Sequence, residues 1–442
     1  MGILDALRRL GRHQAFRRLL IVRVLGQAAD GTLQVGMGSH ILFSPQSQAT
    51  AWDVTAILAL TLLPYTLIGP FVSPLLDRWS RRNVAVYSDL IRAGLALIIG
   101  GLILFGWTTG PGQIGLYAAL LMALAINRFL LAGLSAGLQH TVEPDEYLTA
   151  SSVTPMVGPL GVVVGGVLGF TVRLGLGGVI GTNGADAVIF GCAAVMFLGA
   201  VSVSRRFTRD GLGPEPGRQQ QSVREVARGI REAFGHVRRR PPVALAIGVM
   251  AGGRLLFGML SVTVILIARH VFNPPDQPEA ALGDITVWGL ATGAGFIIAS
   301  AVVPVAVRRW GLRASTTGFL VMLVLAQAAM AVNASMWVLL PASFLIGLGV
   351  QAVKIGADTV VQAHVKEQFK GRVFTLYDVA FNSSLVLAGV IAAAVLPADG
   401  LAPAVFAGMA LAYGLLAVGF EVASRAIGAA DFERGTEDLV SR

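Results

Sequence analysis

The stretch "SPLLDRWSRRN", residues 73–83, is a short run of charge between two long apolar segments. The flanking segments, residues 53–76 and 83–107, can each cross a bilayer as a helix, which takes about 20 mostly apolar residues. The loop at 77–82 holds one aspartate and three arginines. Two spans joined by so short a loop predict a helical hairpin in a membrane, and therefore a polytopic membrane protein.

The composition of the whole chain agrees with that prediction. Of 442 residues, 55% are hydrophobic and 13% charged, whereas soluble domains carry about 25% charged residues. The alternating strand pattern of a membrane β-barrel is not found. The 54 glycines suit helices that pack closely in a bilayer. The single cysteine, Cys192, excludes a disulfide framework.

The sequence shows no signature of catalysis. Its six histidines lie near span ends or in loops, and no nucleophile elbow, zinc motif or phosphate-binding loop occurs. We therefore expect no enzyme activity, no metal site and no cofactor. Pore rings and re-entrant filter segments, which would indicate a channel, are not found either.

Hydropathy gives twelve candidate spans, six on each side of a basic linker at residues 205–242. The spans cover residues 17–42, 53–76, 83–107, 113–139, 149–174, 183–204, 243–270, 284–307, 314–333, 335–358, 372–396 and 401–424. The predicted fold class is all-α, with two six-helix bundles at residues 17–204 and 243–424. The flanking segments are an amphipathic tail at 1–16 and a second tail at 425–442. Within the linker, residues 222–242 predict an amphipathic helix that ends at a double proline, and the alternative is a plain connector.

The distribution of positive charge predicts the orientation. Of the 34 Lys and Arg residues, 27 fall in the two tails, in the loops on one side of the predicted spans or at the first residues of a span on that side. The opposite side has only Arg173, assigned to the loop at the end of span 5, and Arg269 at a helix end. Positive loops face the cytoplasm, so we expect both termini there, in a bacterial-type cytoplasmic membrane. The net charge of +9 is then explained by topology and by contact with the anionic cytoplasmic leaflet, and we expect no nucleic-acid partner.

The two halves share a short repeat. The pattern R-W-x-x-R occurs at residues 78–82 and again at 309–313, with an offset of 231 residues. The same offset places Arg23 of span 1 on Arg254 of span 7. Together with the six-plus-six arrangement, these matches favour a duplicated transporter architecture.

The loop after span 2 resembles a motif of the major facilitator superfamily, G-x-L-x-D-R-x-G-R-R-K. The matching residues are Asp77, Arg78, Arg81 and Arg82, whereas Ser73, Ser80 and Asn83 replace Gly, Gly and Lys. In span 4, "NRFLLAG" at 127–133 resembles the R-x-x-Q-G motif, with Arg128 in place and the glutamine missing.

Two further segments resemble particular branches of that superfamily. In span 5, "GPLGVVVGG" at 158–166 is similar to the Gly-Pro motif of antiporters, through Gly158, Pro159 and Gly161. The N-terminal region and "KEQFKGRVFTLYD" at 366–378 resemble multidrug, macrolide and siderophore exporters. The resemblance implies export of an amphipathic small molecule against protons by alternating access, and we expect the protein to be a monomer. The alternative is a lipid or glycolipid translocase on the same fold, and a more remote one is proton-coupled uptake.

The charged loop has its own physical interpretation. One carboxylate and several guanidiniums can join helix ends through charge-assisted hydrogen bonds that form in one conformation and release in another. The predicted latch residues are Asp77, Arg78, Arg81, Arg82 and Arg372. The alternative is that these arginines only enforce topology.

Charges inside spans are costly and mark functional candidates. Arg23, Gln27, Asp30 and Gln34 follow one another at i, i+4, i+7 and i+11 and therefore form one polar stripe on span 1. A polar stripe is expensive in lipid, so it should face a cavity or another polar helix. Asp89 and Arg92, near the start of span 3, are predicted to pair locally.

Three interpretations of Asp30 stay open. Burial makes a charged carboxylate costly and a nearby arginine offsets that cost, so a balanced Asp30 can bind and release a proton. Its switching partner would be Arg128 or Arg254. Alternatively, Asp30 forms a permanent ion pair that ties span 1 to span 4 or 7, or it binds a cationic substrate directly.

The resemblance also implies which residues line the transport cavity. In the superfamily, spans 1, 4, 7 and 10 surround it. The predicted cavity residues are Gln27, Gln34, Arg128, Arg254, Lys354, Asp378 and Asn382. Three cations against one central acid favour an anionic or zwitterionic amphiphile, unless Asp378 and backbone carbonyls neutralise Arg254 and Lys354.

Overall fold

The structure, a computed structural model, describes residues 9–43, 50–67, 79–143, 146–209, 211–213, 223–274 and 277–435. Within them the protein has thirteen α-helices and no strand, which confirms the all-α prediction. The helices of the first half are α1 (Gln14–Phe43), α2 (Ala51–Leu67), α3 (Arg81–Leu104), α4 (Pro111–Gly137) and α5 (Tyr147–Ser204). They are followed by α6 (Val223–Arg238), α7 (Pro241–Ile267), α8 (Pro278–Trp310), α9 (Leu312–Val332), α10 (Met336–His364), α11 (Glu367–Val395), α12 (Pro403–Ile427) and α13 (Ala429–Glu433).

Nine helical stretches in the described part of the chain are long and apolar enough to cross a membrane. One of them, Val157–Ser204, has 48 residues, enough for two crossings at about 20 residues each. Helix α1 has 30 residues and is also long enough, although its polar stripe reduces its apolar character. The continuation predicted for span 2 beyond α2, residues 68–76, lies outside the described residues. The helices are consistent with twelve spans.

The non-helical connection between spans 5 and 6 is shorter than the loop that the sequence predicts. Helix α5 continues to Gly181, whose φ of 76° and ψ of 165° interrupt it. Only glycine adopts such a φ without strain. Arg173, assigned from the sequence to the loop after span 5, is therefore helical and 1% exposed. Its guanidinium pairs with Asp186 at 2.8 Å, so the assignment of Arg173 to a loop was wrong.

The described helices belong to two compact units. The first comprises Met1–Ser44 and Leu63–Val226, and the second comprises Pro45–Leu62 and Ala227–Arg442. The boundary between the two units at Val226 and Ala227 thus lies inside the basic segment predicted as the linker. The first turns of α2 belong to the second unit, where Thr55 lies 3.0 Å from the position of a Cβ on Gly389 of α11.

Helix α6 forms within the basic segment and ends just before the Pro241-Pro242 pair. The prolines occupy the first turn of α7, where a missing N–H is tolerated because that donor has no partner within the helix. Ala233 of α6 is completely buried in the apolar core of the second unit. At least one face of α6 therefore packs against the second unit.

Candidate functional site

Two carboxylates and one guanidinium meet inside the first unit. Arg92 of α3 forms an ion pair with Asp30 of α1, and its Nη1 donates a 2.9 Å hydrogen bond to Asp89, one turn back on α3. The three side chains are at most 1% exposed. The Phe197 ring of α5 covers the guanidinium, with its centroid 4.1 Å from the Arg92 Cζ. We refer to Asp30, Arg92 and Asp89 as the charge cluster.

A second set of polar contacts links the charge cluster to α4. Gln27 donates from Nε2 to Asp30 at 3.1 Å and to the Asn127 Oδ1 at 3.3 Å. One turn earlier on α1, Arg23 lies 3.4 Å from the Ser135 hydroxyl. The polar stripe of α1 thus meets polar groups of α3 and α4, which agrees with the expectation that it faces another polar helix.

The ion-pair partner of Asp30 differs from the sequence prediction. The structure pairs Asp30 with Arg92, whereas the sequence predicts Arg128 or Arg254 as its switching partner. The residue of α4 that contacts the polar stripe is Asn127, which hydrogen-bonds to Gln27. Arg128, the next residue of α4, is half-buried. The predicted Asp89–Arg92 pair is confirmed, but placing it apart from Asp30 was wrong.

The Gly-Pro segment allows α5 to pack directly against this part of α1. A Cβ on Gly165 would lie 1.8 Å from the Ala28 carbonyl oxygen, and one on Gly161 would lie 2.9 Å from the Val24 oxygen. Such backbone contact is possible only without side chains. Gly158 has more room, since its Cβ would stay 3.7 Å from Arg23, and Pro159 is exposed. The glycines therefore determine how closely the polar stripe approaches α5.

The described arginines of the charged loop bind backbone carbonyl groups at the ends of α4 and α5 and at Leu212. Arg81 is 2% exposed and donates to the carbonyl oxygens of Ala136 and Leu212, at 2.9 and 3.0 Å. Arg82 donates to the Arg205 carbonyl at 3.2 Å. These contacts place positive charge at the negative C-terminal ends of α4 and α5. The other two predicted latch residues, Asp77 and Arg78, lie outside the described residues.

Arg372, the fifth predicted latch residue, contacts the linker helix. Its Nη1 pairs with the Glu232 carboxylate of α6 at 2.9 Å. Nearby, the His236 ring of α6 stacks on Phe369 at a centroid distance of 4.4 Å. Partial burial, followed by the charges of Arg240, Lys366 and Arg239, lowers the pKa of His236 and favours the neutral ring in this stack. Arg372 therefore joins α6 to α11.

The predicted cations of the second unit lie around one aromatic ring. The Cζ of Arg254 is 4.3 Å from the Phe381 centroid, and the Nζ of Lys354 is 5.7 Å from the same centroid. Both distances fall within the range of cation–π attraction. Lys354 also pairs with Asp358 at 2.8 Å, one turn along α10. The acid that pairs with Lys354 is thus Asp358, whereas the alternative raised from the sequence is neutralisation by Asp378 and backbone carbonyls.

The remaining predicted cavity residues lie at less enclosed positions. Asp378 of α11 is exposed, and Asn382 donates to the Asp378 backbone carbonyl at 2.9 Å. Gln34 is half-buried on the same face of α1 as Asp30. Three or more metal-ligating side chains do not gather anywhere in the described ranges.

The stoichiometry of the charge cluster gives it a specific chemistry. With both acids ionised, two negative charges share one positive charge in a site closed to water. Neighbouring carboxylates disfavour each other's charged form, so one proton can neutralise the cluster at low cost. The Asp89 Oδ2 is buried and has no hydrogen-bond partner in the described part of the chain. The arrangement is suited to binding and releasing one proton.

A polytopic helical fold with ionisable groups buried among its spans defines a membrane protein of the transporter class. The sequence pattern described as Major Facilitator Superfamily matches residues 19–389, and the chain belongs to that family.

Comparison with known proteins supports the same conclusion. The chain is 34% identical over 392 residues to uncharacterized MFS-type transporters of Mycobacterium bovis and Mycobacterium tuberculosis, covering 88% of this chain and 86% of each relative. Solved structures with the same fold include a nucleoside transporter, with a TM-score of 0.68, 14% identity and coverage of 92% and 98% of the two chains. Another is a bacterial homologue of the iron transporter ferroportin in an inward-facing state, with a TM-score of 0.65, 17% identity and coverage of 95% and 99%. The protein is an MFS-type transporter.

Proposed function

We propose that the protein is a proton-coupled exporter of an amphipathic small molecule, such as a drug, macrolide or siderophore-like compound, and that it works by alternating access. The observation that carries the coupling is the charge cluster, in which two buried carboxylates share one guanidinium. Asp30 is the proton-binding group in this proposal, and Arg92 is its switching partner.

The cluster supplies a physical link between a proton and the helices. A proton on Asp30 removes its charge attraction to Arg92, which then keeps only Asp89 as its ionised partner. Because Asp30 lies on α1 and Arg92 on α3, the proton weakens one contact between these two helices. A ligand or proton shifts a conformational equilibrium only by such a difference between states.

We further propose that Arg81, Arg82 and Arg372, with Asp77 and Arg78, act as a latch. Arg81 and Arg82 bind carbonyls at the ends of α4 and α5, and Arg372 binds α6. These contacts are charge-assisted and can be exchanged as helix ends move. The distribution of Lys and Arg supports their placement at the cytoplasmic side of the cell membrane, with both termini on that side.

Transport from reconstituted vesicles tests the coupling. Proteoliposomes loaded with erythromycin, a fluorescent amphipathic dye or a hydroxamate siderophore would receive an imposed pH gradient, and the flux of each compound would be recorded. In wild-type vesicles we expect at least one compound to move in the direction opposite to the proton flux. In Asp30→Asn vesicles the flux of that compound should no longer depend on the pH gradient. Asp358→Asn is the matched control, because Asp358 belongs to a partly exposed pair. Unchanged proton-driven flux in Asp30→Asn would refute the coupling role.

The same vesicles separate export from lipid translocation. A lipid labelled on its headgroup, added to one leaflet, reports movement by loss of fluorescence to a membrane-impermeant quencher. Lipid movement without transport of any soluble compound would favour the translocase alternative. Flux in the direction of proton movement would favour uptake.

A further inference from the structure

A groove of about 600 Å³ lies between α3 and α4 in the first unit, next to the charged loop. Its lining changes along its length. Arg209, Ser80 and Asn83 lie at the loop end, and Ile91 and Ile126 lie deeper along the helices. The groove thus has one polar end and one apolar end, a gradient that matches an amphiphile.

The groove is open to the surroundings of the helices. Trp79 is 53% exposed, Tyr87 60% and Ile91 48%. On α3 the exposed apolar face continues through Leu97 and Ile98. Exposed apolar side chains that recur at helical spacing on a membrane span face hydrocarbon. Trp and Tyr near the end of such a face are typical of the headgroup level.

The polar end of the groove carries excess positive charge. The two described segments that meet there, residues 79–83 and 205–209, hold five arginines and no acidic residue. Among these arginines, Arg209 lines the groove and is exposed. The Ser80 hydroxyl donates to the Arg209 carbonyl at 2.6 Å, which fixes this part of the 205–210 segment against the start of α3. A negatively charged group is the complementary occupant.

We propose that this groove binds an anionic phospholipid of the cytoplasmic leaflet. The phosphate lies at Arg209 and Asn83, the glycerol region lies beside Trp79 and Tyr87, and an acyl chain follows Ile91. Anionic lipids gather in that leaflet and attract basic residues at its surface. The inference goes beyond transport and uses only the proposed orientation of the chain.

Native mass spectrometry of the full-length protein, titrated with dioleoyl phosphatidylglycerol or dioleoyl phosphatidylcholine, tests the proposal. One arginine at the headgroup level corresponds to about a fivefold preference for the anionic lipid. We expect Arg209→Gln to remove the preference and Arg209→Lys to keep it. The matched control Arg309→Gln, at an exposed arginine near the corresponding loop of the second half, should keep it as well.

A second variant tests the apolar part of the groove. Tyr87→Ala should weaken binding of both lipids, while Leu97→Ala, on the same exposed face but outside the groove lining, should leave binding unchanged. The proposal is overturned by equal affinity for the two lipids, by a preference that survives Arg209→Gln, or by an equal loss in Arg309→Gln. Displacement of phosphatidylglycerol by inorganic phosphate alone would also overturn it, since the apolar floor would then contribute nothing.

Discussion

Helix α3 of the first unit and helix α9 of the second carry charged and apolar side chains, respectively, at matching positions. Asp89 and Arg92 are the ninth and twelfth residues of α3, and Leu320 and Leu323 are the ninth and twelfth residues of α9. All four side chains are completely buried. The two helices begin 231 residues apart, which is also the offset of the R-W-x-x-R repeat.

The difference indicates what the charges do. The second unit forms a closed core with leucines at these positions, so the fold does not require charge there. Replacing a buried ion pair with well-packed apolar residues is often neutral or stabilising, because ions lose hydration when buried. The charge cluster of the first unit therefore costs stability that the second unit does not lose, and we infer that function maintains it.

Removing only the cation should have the largest effect. Arg92→Leu leaves Asp30 and Asp89 buried without their shared partner, and breaking a buried pair in this way costs about 3–5 kcal/mol. We expect the midpoint of thermal unfolding, measured on purified protein in detergent, to fall further than after a glycine substitution or the loss of an exposed ion pair. Arg309→Leu, at an exposed arginine, is the control. A wild-type midpoint for Arg92→Leu would contradict the burial argument.

Removing the whole cluster should restore much of that loss. The triple variant Asp30→Asn, Asp89→Leu and Arg92→Leu gives α3 the apolar side chains that α9 has. We expect its free energy of unfolding to return to within about 2 kcal/mol of the wild type, since no uncompensated charge stays buried. Proton-coupled transport in proteoliposomes should be lost. A triple variant as unstable as Arg92→Leu would show that the cluster serves packing instead.

Substitutions at two glycines of α5, where it packs against α1, should differ in their effect on stability. Gly165→Ala forces a Cβ to within 1.8 Å of the Ala28 carbonyl oxygen, so the helices must move apart. Overpacking of this kind typically costs about 1–3 kcal/mol. Gly158→Ala, with 3.7 Å to its nearest neighbour, should unfold at the wild-type temperature. Equal midpoints for the two variants would contradict the close approach.

The sequence predicts the fold and the polar stripe because both depend on local patterns. Apolar length identifies the spans, and the spacing of Gln27 and Asp30 places them on one face of α1. The partner helix cannot be obtained in this way, since periodicity identifies a face and not the helix that packs against it. Asn127 carries no sequence signal either, because a single neutral amide hardly changes hydropathy.

The sequence-based placements of Arg92 and Arg173 are wrong for specific physical reasons. The sequence prediction places Arg92 near the start of span 3, yet α3 begins at Arg81, so Arg92 lies about 16 Å along the helix at 1.5 Å per residue. Arg173 precedes the glycine-rich stretch 175–181, which is typical of a loop. Membrane helices tolerate such glycines, and the chain stays helical until Gly181.

The Lys354–Asp358 ion pair of the second unit should show the smallest effect. Lys354 and Asp358 lie one turn apart on α10, and their side chains are 29% and 27% exposed. Pairs of this spacing contribute about 0.3–0.5 kcal/mol where water reaches them. Asp358→Asn should therefore shift the unfolding midpoint only slightly and leave pH-driven flux intact, in contrast to Asp30→Asn. A loss of stability as large as that of Arg92→Leu would mean that Lys354 depends on Asp358 as fully as the two acids of the charge cluster depend on Arg92, and the contrast between the units would fail.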